Sequence, residues 1–401
     1  ELVRGDYPLR AYEPHERVTT HGLRSRWGSF SPLWTQQTGG PGPKWSKIRK
    51  IINEIRPDVV HFHNLSLIGG PGLLRKNFGH AVRLMTAHEH WLVCPMHVLW
   101  QSEDRLCEQP SCHKCSIGHR RPPQLWRHSG LMEKGLGCLD RLIVPSQSAA
   151  MEHQRRGIRR PIDVLPYFLP SDWPRAFRTN ISDINLPGHP KRPYFTCVGR
   201  IEKIKGFQDV IALMDQLPEA DLRIAGHGSY LPELRKISGE RPNVIFEGLL
   251  EGDALRRLVR GSRATIVPSL VPETFGYVVL ESFAQARPVI GRNLGALPEI
   301  LNQSEGGIVF QNRLELMQSM KKYLIEPAVA DSDGLAGQHA LLTRYDEQSH
   351  LATYLSWVDQ AVESKQNPIL SPEGNLESEI PEGLLLEQFP TLTDQPEKSA
   401  A

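Results

Sequence analysis

Short runs of apolar, often β-branched residues alternate with helix-like patterns along the chain from residue 58 onward. Continuous apolar runs of this kind are typical of parallel strands buried on both faces, with helices as crossovers. Strands are predicted at 58–63, 81–86, 140–145, 162–165, 194–198, 221–225, 243–247, 263–268, 289–290 and 308–310, and helices at 44–56, 147–156, 207–216, 230–238, 252–261 and 276–285. The fold class is therefore expected to be α/β.

A proline-rich stretch divides this pattern in two. Residues 166–193 contain six prolines and have neither a helical nor a strand period, so they predict an interdomain linker. We expect two Rossmann-like domains, at 1–166 and 194–345, joined by a linker at 167–193, with a small-molecule cleft between them. A helix is predicted at 346–364, and the Pro- and Glu-rich residues 365–401 are expected to be disordered.

The start of the chain does not follow the pattern. Residues 1–57 lack the strand, glycine-rich turn and helix with which a doubly wound domain usually opens. We therefore expect the first strand and its glycine loop to be missing, which would make the N-terminal domain truncated at its start.

Composition excludes several classes of protein. Among 401 residues, 47 Lys and Arg face 45 Asp and Glu, and this net charge of +2 argues against a nucleic-acid partner. No apolar run approaches the ~20 residues of a membrane span. Six cysteines are too few for a disulfide scaffold, so a reducing, cytoplasmic location is expected.

A local basic cluster stands out against this balance. It predicts either a solvated helix end or a peripheral contact with an anionic membrane at the inner face. Its members are Arg155, Arg156, Arg159, Arg160, His119, Arg120, Arg121 and Arg127.

Glycines and charged residues follow four successive strands in the second half. Because the carboxyl ends of parallel strands meet at one edge, these residues are expected to line a ligand crevice. Ordinary turn glycines are the alternative. The residues are Gly199, Arg200, Gly226, Gly228, Gly248, Leu249, Pro268 and Ser269.

The first of these segments has the chemistry of a diphosphate clamp. Gly199 lets a backbone approach a ligand, and Arg200 and Lys205 place two cations before the helix predicted from residue 207. A solvated charged turn is the alternative. Gly226-His-Gly228 with Glu247 downstream also suggests dinucleotide binding, but the third glycine of that motif is absent.

Two glutamates flank the next predicted helix. Glu273 precedes it and Glu281 follows eight residues later, a separation of ~12 Å if the segment is helical, which suits two parts of one extended ligand. The free N–H groups of Thr274, Phe275 and Gly276 are expected to meet phosphate or sugar oxygens. The alternatives are a helix-terminal charge at Glu273 and a solvent-facing side chain at Glu281.

These residues resemble the retaining glycosyltransferases of family 4, which have the GT-B fold. The resemblance covers about residues 190–310 and includes the segment Gly295 to Glu299. It implies that Arg200 and Lys205 bind the donor diphosphate, that Glu273 contacts the donor sugar and that Glu281 contacts the ribose.

The first half is similar to the same family at residues 57–64 and 86–91, although Glu89 replaces the usual Asp. The resemblance implies that His88 contacts the donor sugar, and a structural strand-end histidine is the alternative. The implied catalytic set is His88, Arg200, Lys205 and Glu273, without a metal ion or other cofactor.

Four cysteines lie within 22 residues, and the last two form Cys-x-x-Cys. This spacing predicts either free thiols or a structural zinc site in an insertion at 94–115. The candidate ligands are Cys94, Cys107, Cys112 and Cys115.

Together the sequence predicts a transferase that moves a sugar from a UDP- or GDP-linked donor to an acceptor, with retention, as in polysaccharide biosynthesis. The acceptor class stays open between a glycan, a lipid-linked molecule and a small molecule. The alternatives are a noncatalytic nucleotide-sugar or carbohydrate-binding subunit and a nucleotide-sugar epimerase.

Overall fold

A computed structural model describes residues 2–4, 18–23, 27–28, 30–102, 104–170, 173 and 192–366. Most of the predicted linker and the part of the predicted tail beyond residue 366 lie outside these ranges. The described chain forms two main parallel sheets, one in each half. The domain bounds given above stay a prediction, but both sheets lie where the apolar runs predicted strands.

The N-terminal half is built on a four-stranded parallel sheet in the order β3-β4-β7-β8. Two short strands near the start pair in parallel, and a small antiparallel ribbon lies between β4 and β7. The strands are β1 (Leu2–Arg4), β2 (His21–Leu23), β3 (Val59–Phe62), β4 (Val82–Thr86), β5 (Trp100–Gln101), β6 (Arg105–Leu106), β7 (Arg141–Val144) and β8 (Asp163–Val164). The helices are α1 (Phe30–Thr38), α2 (Lys44–Ile55), α3 (Gly70–Leu74), α4 (Cys112–Gly118), α5 (Leu131–Leu136) and α6 (Gln147–Arg155).

The C-terminal half has a six-stranded parallel sheet in the order β11-β10-β9-β12-β13-β14, so the strand order reverses beside β9. Its strands are β9 (Tyr194–Val198), β10 (Asp221–Ala225), β11 (Val244–Gly248), β12 (Thr265–Val267), β13 (Val289–Arg292) and β14 (Gly307–Phe310). Its helices are α7 (Phe207–Ile211), α8 (Leu231–Ser238), α9 (Gly252–Arg260), α10 (Tyr277–Ala284), α11 (Leu297–Ser304), α12 (Arg313–Ile325), α13 (Pro327–Thr343) and α14 (Glu347–Gln366). Such a reversal opens the crevice where ligands bind in doubly wound sheets.

The last helix returns to the first half. Tyr354, Val358 and Ala361 of α14 pack against Val82 and Leu84 of β4. The Lys365 ammonium pairs with the Asp140 carboxylate at 2.8 Å, which fixes the end of the helix on the N-terminal sheet. The chain therefore crosses between the two halves twice.

The helix that sequence periodicity missed most completely is α13. Its small residues allow close packing, since a Cβ atom at Gly334 would lie 2.2 Å from the Ala286 carbonyl oxygen and one at Gly337 would lie 2.4 Å from the Phe283 ring. A face made of Ala and Gly gives only a weak apolar period, although it packs as closely as a Leu face. The elements β1, β2 and α1 within the stretch 1–57 were also missed, because the two strands have only three residues each and α1 has only nine.

Candidate active site

The structure brings Lys205 and Glu273 together. The Lys205 ammonium lies 2.6 Å from the Glu273 carboxylate, and the Ser269 hydroxyl donates to the same oxygen at 2.5 Å. Both charged side chains are mostly buried, with 25% and 19% of their surface exposed. A cation and a carboxylate therefore share one half-closed site at the carboxyl edge of the sheet.

A tight backbone contact holds the Glu273 loop. Gly295 has φ +64, and a Cβ atom there would lie 2.5 Å from the Glu273 nitrogen, so only glycine fits. The Ala296 N–H also donates to the Glu273 carbonyl at 3.0 Å. The glycine of the Gly295–Glu299 segment thus serves loop packing, a role that motif spacing alone does not reveal.

Arg200 is placed differently from Lys205. Its side chain is 76% exposed and pairs with Glu202 at 3.1 Å, and no contact joins it to Lys205 or Glu273 within the described structure. The two cations that the sequence predicted as one clamp are therefore not assembled here. Arg200 would have to leave Glu202 to reach a ligand at Lys205.

The helix after Glu273 begins later than predicted. Gly276 is its N-cap in the left-handed conformation, and α10 starts at Tyr277, so Glu273 lies in the preceding loop. The estimate of ~12 Å between the two glutamates, which assumed one continuous helix, does not apply. Phe275 is buried beside Tyr167, with ring centroids 5.0 Å apart.

Glu281 occupies a pocket of its own. Burial raises the pKa of its carboxyl group, and no described residue forms a hydrogen bond with it. The walls of the pocket combine an apolar surface with two buried donors, the Trp173 indole N–H and the Gln285 amide, which have no acceptor in the part of the chain that the structure describes. The lining residues are Trp173, Val198, Leu255, Arg256, Val259, Val278, Glu281 and Gln285.

Sequence reasoning missed Trp173 and Gln285. Gln285 lies one helical turn after Glu281, so its position on the same face could have been derived from the helical period. Trp173 comes from the predicted linker, and no pattern connects it with α10. Groups that must accept or donate inside a largely apolar pocket are the usual means by which a site orients a polar ligand.

The rim glycines divide into two kinds. A Cβ atom at Gly226 would lie 1.9 Å from the Gly199 carbonyl oxygen, and one at Gly228 would lie 2.2 Å from that of Ile201. Both glycines are therefore required by loop packing. By contrast, a Cβ atom added to Gly199 or Gly248 would meet no other atom within 4 Å. Leu249, next to Gly248, is 69% exposed.

His88 faces this rim from the other half. Its Nε2 atom lies 2.7 Å from Nδ1 of His63, and its Nδ1 atom bonds the Tyr167 hydroxyl. The Thr274 hydroxyl donates to the His88 carbonyl at 2.8 Å, which joins the Glu273 loop to the His88 loop. Thr274 is thus a bridge between the halves, whereas its own N–H finds no acceptor among the residues the structure describes.

The His88 ring is neutral at physiological pH. Loss of solvation, followed by the neighbouring His63, lowers the pKa of His88 to about 4, although the side chain borders the open cleft. Burial raises the pKa of Tyr167 well above its usual range, so that group stays a hydroxyl. Glu89, at the position of the family's Asp, bonds His97 at 2.6 Å and Asn64 at 3.2 Å.

The zinc prediction is not supported. No group of three or more His, Cys, Asp or Glu side chains in the described ranges is arranged to hold a metal ion. Instead, the Cys107 sulfur lies 3.7 Å from the Arg156 guanidinium. Burial, more than the nearby thiols, raises the pKa of both Cys112 and Cys115, so both are thiols in the metal-free protein.

The basic cluster is also not one surface. Arg127 is half-buried and donates to the carbonyls of Trp91 and Leu92, Arg156 pairs with Glu152, and Arg160 binds the Leu136 carbonyl. Three of its arginines therefore stabilise the interior. No helix within the described ranges is both long enough and apolar enough to span a bilayer.

Comparison with known proteins identifies the family. The model for Glycosyltransferase Family 4 matches residues 4–172, and that for Glycosyl transferases group 1 matches residues 192–325. The two matches include nearly all strands of both sheets. The chain belongs to glycosyltransferase family 4. The resemblance seen in the sequence is therefore confirmed.

Curated relatives match over part of this family 4 chain. It is 34% identical to the sulfoquinovosyl transferase of Arabidopsis thaliana over 132 residues, which is 33% of this chain and 26% of that protein. It is 31% identical to the glycogen synthase of Mycobacterium tuberculosis over 162 residues, 38% of this chain and 39% of that protein. The chain thus spans well under half the length of these relatives.

Solved structures confirm the GT-B fold. Sucrose-phosphate synthase from Thermosynechococcus elongatus superposes with a TM-score of 0.62 at 19% identity, over 80% of this chain and 78% of that one. Anabaena HepE, solved in complex with UDP, gives a TM-score of 0.59 at 15% identity over 86% of both chains. These structures share the two-sheet architecture of this chain.

Proposed function

We propose that this glycosyltransferase moves a sugar from a nucleoside diphosphate donor to an acceptor, with retention at the anomeric carbon. The observation that supports this most is the Lys205–Glu273 pair, which faces His88 across the contact made by Thr274. A cation for a leaving phosphate and polar groups for a sugar then border one space between the two halves.

In this proposal the donor extends along the carboxyl edge of the C-terminal sheet. The nucleoside enters the pocket of Glu281, where the carboxylate accepts from ribose hydroxyls. Lys205 binds the diphosphate together with the N–H groups of Phe275 and Gly276, for which the described residues offer no acceptor. Arg200 joins them after leaving Glu202. Gly199 and Gly248 leave open space for the ligand to approach the backbone.

The sugar then lies between the two halves. Glu273 would accept hydrogen bonds from its hydroxyls, since Lys205 and Ser269 hold the carboxylate in place. His88 would reach the sugar from the opposite wall as a neutral ring, in agreement with its lowered pKa. One of its two present bonds, to His63 or to Tyr167, would be exchanged for the bond to substrate.

The transfer step needs no nucleophile from the protein. The bond between the anomeric carbon and the diphosphate oxygen breaks, and the acceptor oxygen bonds to the same face of the carbon. The acceptor proton passes to the departing diphosphate, so charge and protons balance. Lys205 stabilises the negative charge that develops on the leaving oxygen. The rest of the reduction in activation free energy comes from holding donor and acceptor in a fixed relative position.

Nucleoside diphosphate release separates this function from its alternatives. The protein would be incubated with UDP- and GDP-sugars, with and without a panel of acceptors. Lys205→Ala should lower acceptor-dependent release about ten- to a hundredfold, as expected for a lost charged hydrogen bond. The control is Lys236→Ala, an exposed lysine paired only with Glu233 on its own helix.

The alternatives give different products. An epimerase would convert one nucleotide sugar into another without releasing the nucleotide, and a noncatalytic subunit would bind donors without turnover. Either result would overturn the proposal, as would equal release by the Lys205→Ala variant and the wild type.

A further inference from the structure

A glutamate of the C-terminal half caps a helix of the N-terminal half. Glu299, on α11, accepts from the Gln147 N–H at 3.0 Å through one oxygen and from the Ser148 N–H at 2.9 Å through the other. These are first-turn N–H groups of α6, which have no partner within their own helix. We propose that Glu299 is a positioning residue that holds the two halves in the closed arrangement.

The cap is completed from both sides of the cleft. Ser146, the N-cap residue of α6, accepts from the Ala149 N–H at 3.0 Å, so Ser146 and Glu299 together satisfy three successive donors. The helix dipole also favours a negative charge at this end. When the halves separate, only water can replace the carboxylate, so the contact favours closure without making it irreversible.

Two further hydrogen bonds beside the cap link the start of α6 to the active site. The Ser146 hydroxyl donates to the Thr274 carbonyl at 2.6 Å, and the Thr274 hydroxyl donates to the His88 carbonyl at 2.8 Å. Thr274 directly follows Glu273. The loop that carries Glu273 is thus bonded to two segments of the opposite half.

Glu299 and Glu273 move together because their segments are packed without a gap. The Ala296 N–H donates to the Glu273 carbonyl, and Gly295 lies against the Glu273 backbone. Glu299 lies one helical turn after Ala296. The capping contact therefore sets the position of Glu273 relative to His88, which the proposed function places on opposite sides of one sugar.

Other contacts across the cleft agree with a closed state. Lys203 pairs with Asp104 at 2.5 Å, and His90 donates to the Pro272 carbonyl at 3.1 Å. Among these contacts across the cleft, the one made by Glu299 has two main-chain partners, because each of its carboxylate oxygens accepts from a backbone N–H group. It is therefore the contact whose removal should most change the closed population.

The test combines small-angle scattering with nucleotide binding and turnover. Glu299→Gln and Glu299→Ala should increase the radius of gyration and lower donor turnover about tenfold, as for a lost charged bond. Affinity for UDP or GDP alone, which would contact only the C-terminal half, should not change. The matched control is Glu240→Gln, an exposed glutamate away from the cleft.

A variant on the opposite side tests the same bond. Gln147→Pro removes one donor at a first-turn position where proline is tolerated, and Ser146 already has the extended conformation that must precede proline. It should increase the radius of gyration as Glu299→Gln does. The double variant should have a radius of gyration no larger than that of the more open single variant.

The inference rests on the proposed function only for its turnover arm. Scattering reports closure even if no donor is turned over, so the two ideas can fail separately. An unchanged radius of gyration in all three variants would overturn the inference. Weaker binding of bare UDP or GDP in Glu299→Gln would also overturn it, because a local defect of the C-terminal half would then explain the loss.

Discussion

Glu281 differs from the other carboxylates of the site because burial removes it from water while no residue in the described ranges bonds to it. Glu273 has Lys205 and Ser269, and Glu299 has two backbone N–H groups. The pKa of Glu281 is raised by burial, so the ionised form is disfavoured in the free protein. A desolvated carboxylate of this kind costs stability, which supports the proposed role of Glu281 in binding a ligand.

This gives a stability prediction for Glu281→Gln. The folded-state pKa lies above the unfolded value, so the folded state holds its proton to higher pH and stability falls as pH rises through this range. Without ligand, Glu281→Gln should therefore raise the melting temperature at pH 7.5, with a smaller gain at pH 4. A lower melting temperature at pH 7.5 would contradict the assigned burial cost. Glu251→Gln, at an exposed glutamate, is the control.

At this scale, sequence spacing predicted those residues that follow the carboxyl ends of strands in one sheet. Glu273 and Lys205 were both expected at the rim, and the structure pairs them. Their assigned roles stay predictions. The bond of Glu299 to Gln147 could not be predicted, since it joins positions 152 residues apart in sequence.

At the scale of elements, half-buried arginines bond to the cysteine segment and to the residues just before it. The Arg127 guanidinium donates to the Trp91 carbonyl at 2.8 Å and lies 4.8 Å from the centre of the Trp126 ring. Burial lowers the pKa of Arg127 to about 10, which leaves it charged at neutral pH. The sequence suggested a surface patch because the number of charged residues does not show which of their side chains are buried.

Arg127→Ala should therefore reduce stability. It removes the donor from two buried carbonyl groups, each worth ~1–3 kcal/mol when left unsatisfied, and should lower the melting temperature by several degrees. The nucleotide affinity of the folded protein should be unchanged. Arg121→Ala, at an exposed arginine of the same cluster, should have almost no effect. Equal melting temperatures for both variants would contradict this assignment.

At the scale of the whole molecule, two buried histidines lie at the contact between the halves. His90 bonds the Pro272 carbonyl through Nε2, while its Nδ1 atom and the Nε2 atom of His153 are buried without a partner among the described residues. Burial is the largest cause that lowers the pKa of His90, to about 4, and it also lowers that of His153. Both rings are therefore neutral in the folded protein at pH 7.

Mild acid should destabilise the molecule. The unfolded chain binds protons at these histidines below about pH 6.5, whereas folded His90 does not until about pH 4, so stability is lost as pH falls between these values. Thermal unfolding followed from pH 7.5 to 4.5 should show a falling melting temperature, with a shallower slope in His153→Gln. A melting temperature that stays constant over this range would contradict the account.

The two-sheet architecture could be predicted because buried parallel strands leave continuous apolar runs. The parts that could not be predicted, such as α13 and the short strands β1 and β2, depend on small residues or on very few residues. The return of α14 to the N-terminal half could not be predicted either. Its apolar face predicts a packed helix but does not show that the helix packs against β4.

The central claim is that one donor is held at two separate points, with Glu281 on the nucleoside and Glu273 on the sugar. The most direct test is calorimetric titration of each alanine variant with a bare nucleoside diphosphate and with its sugar conjugate. Glu281→Ala should weaken both ligands about ten- to a hundredfold, and Glu273→Ala should weaken only the conjugate. Equal weakening of the bare diphosphate by both variants would contradict the claim.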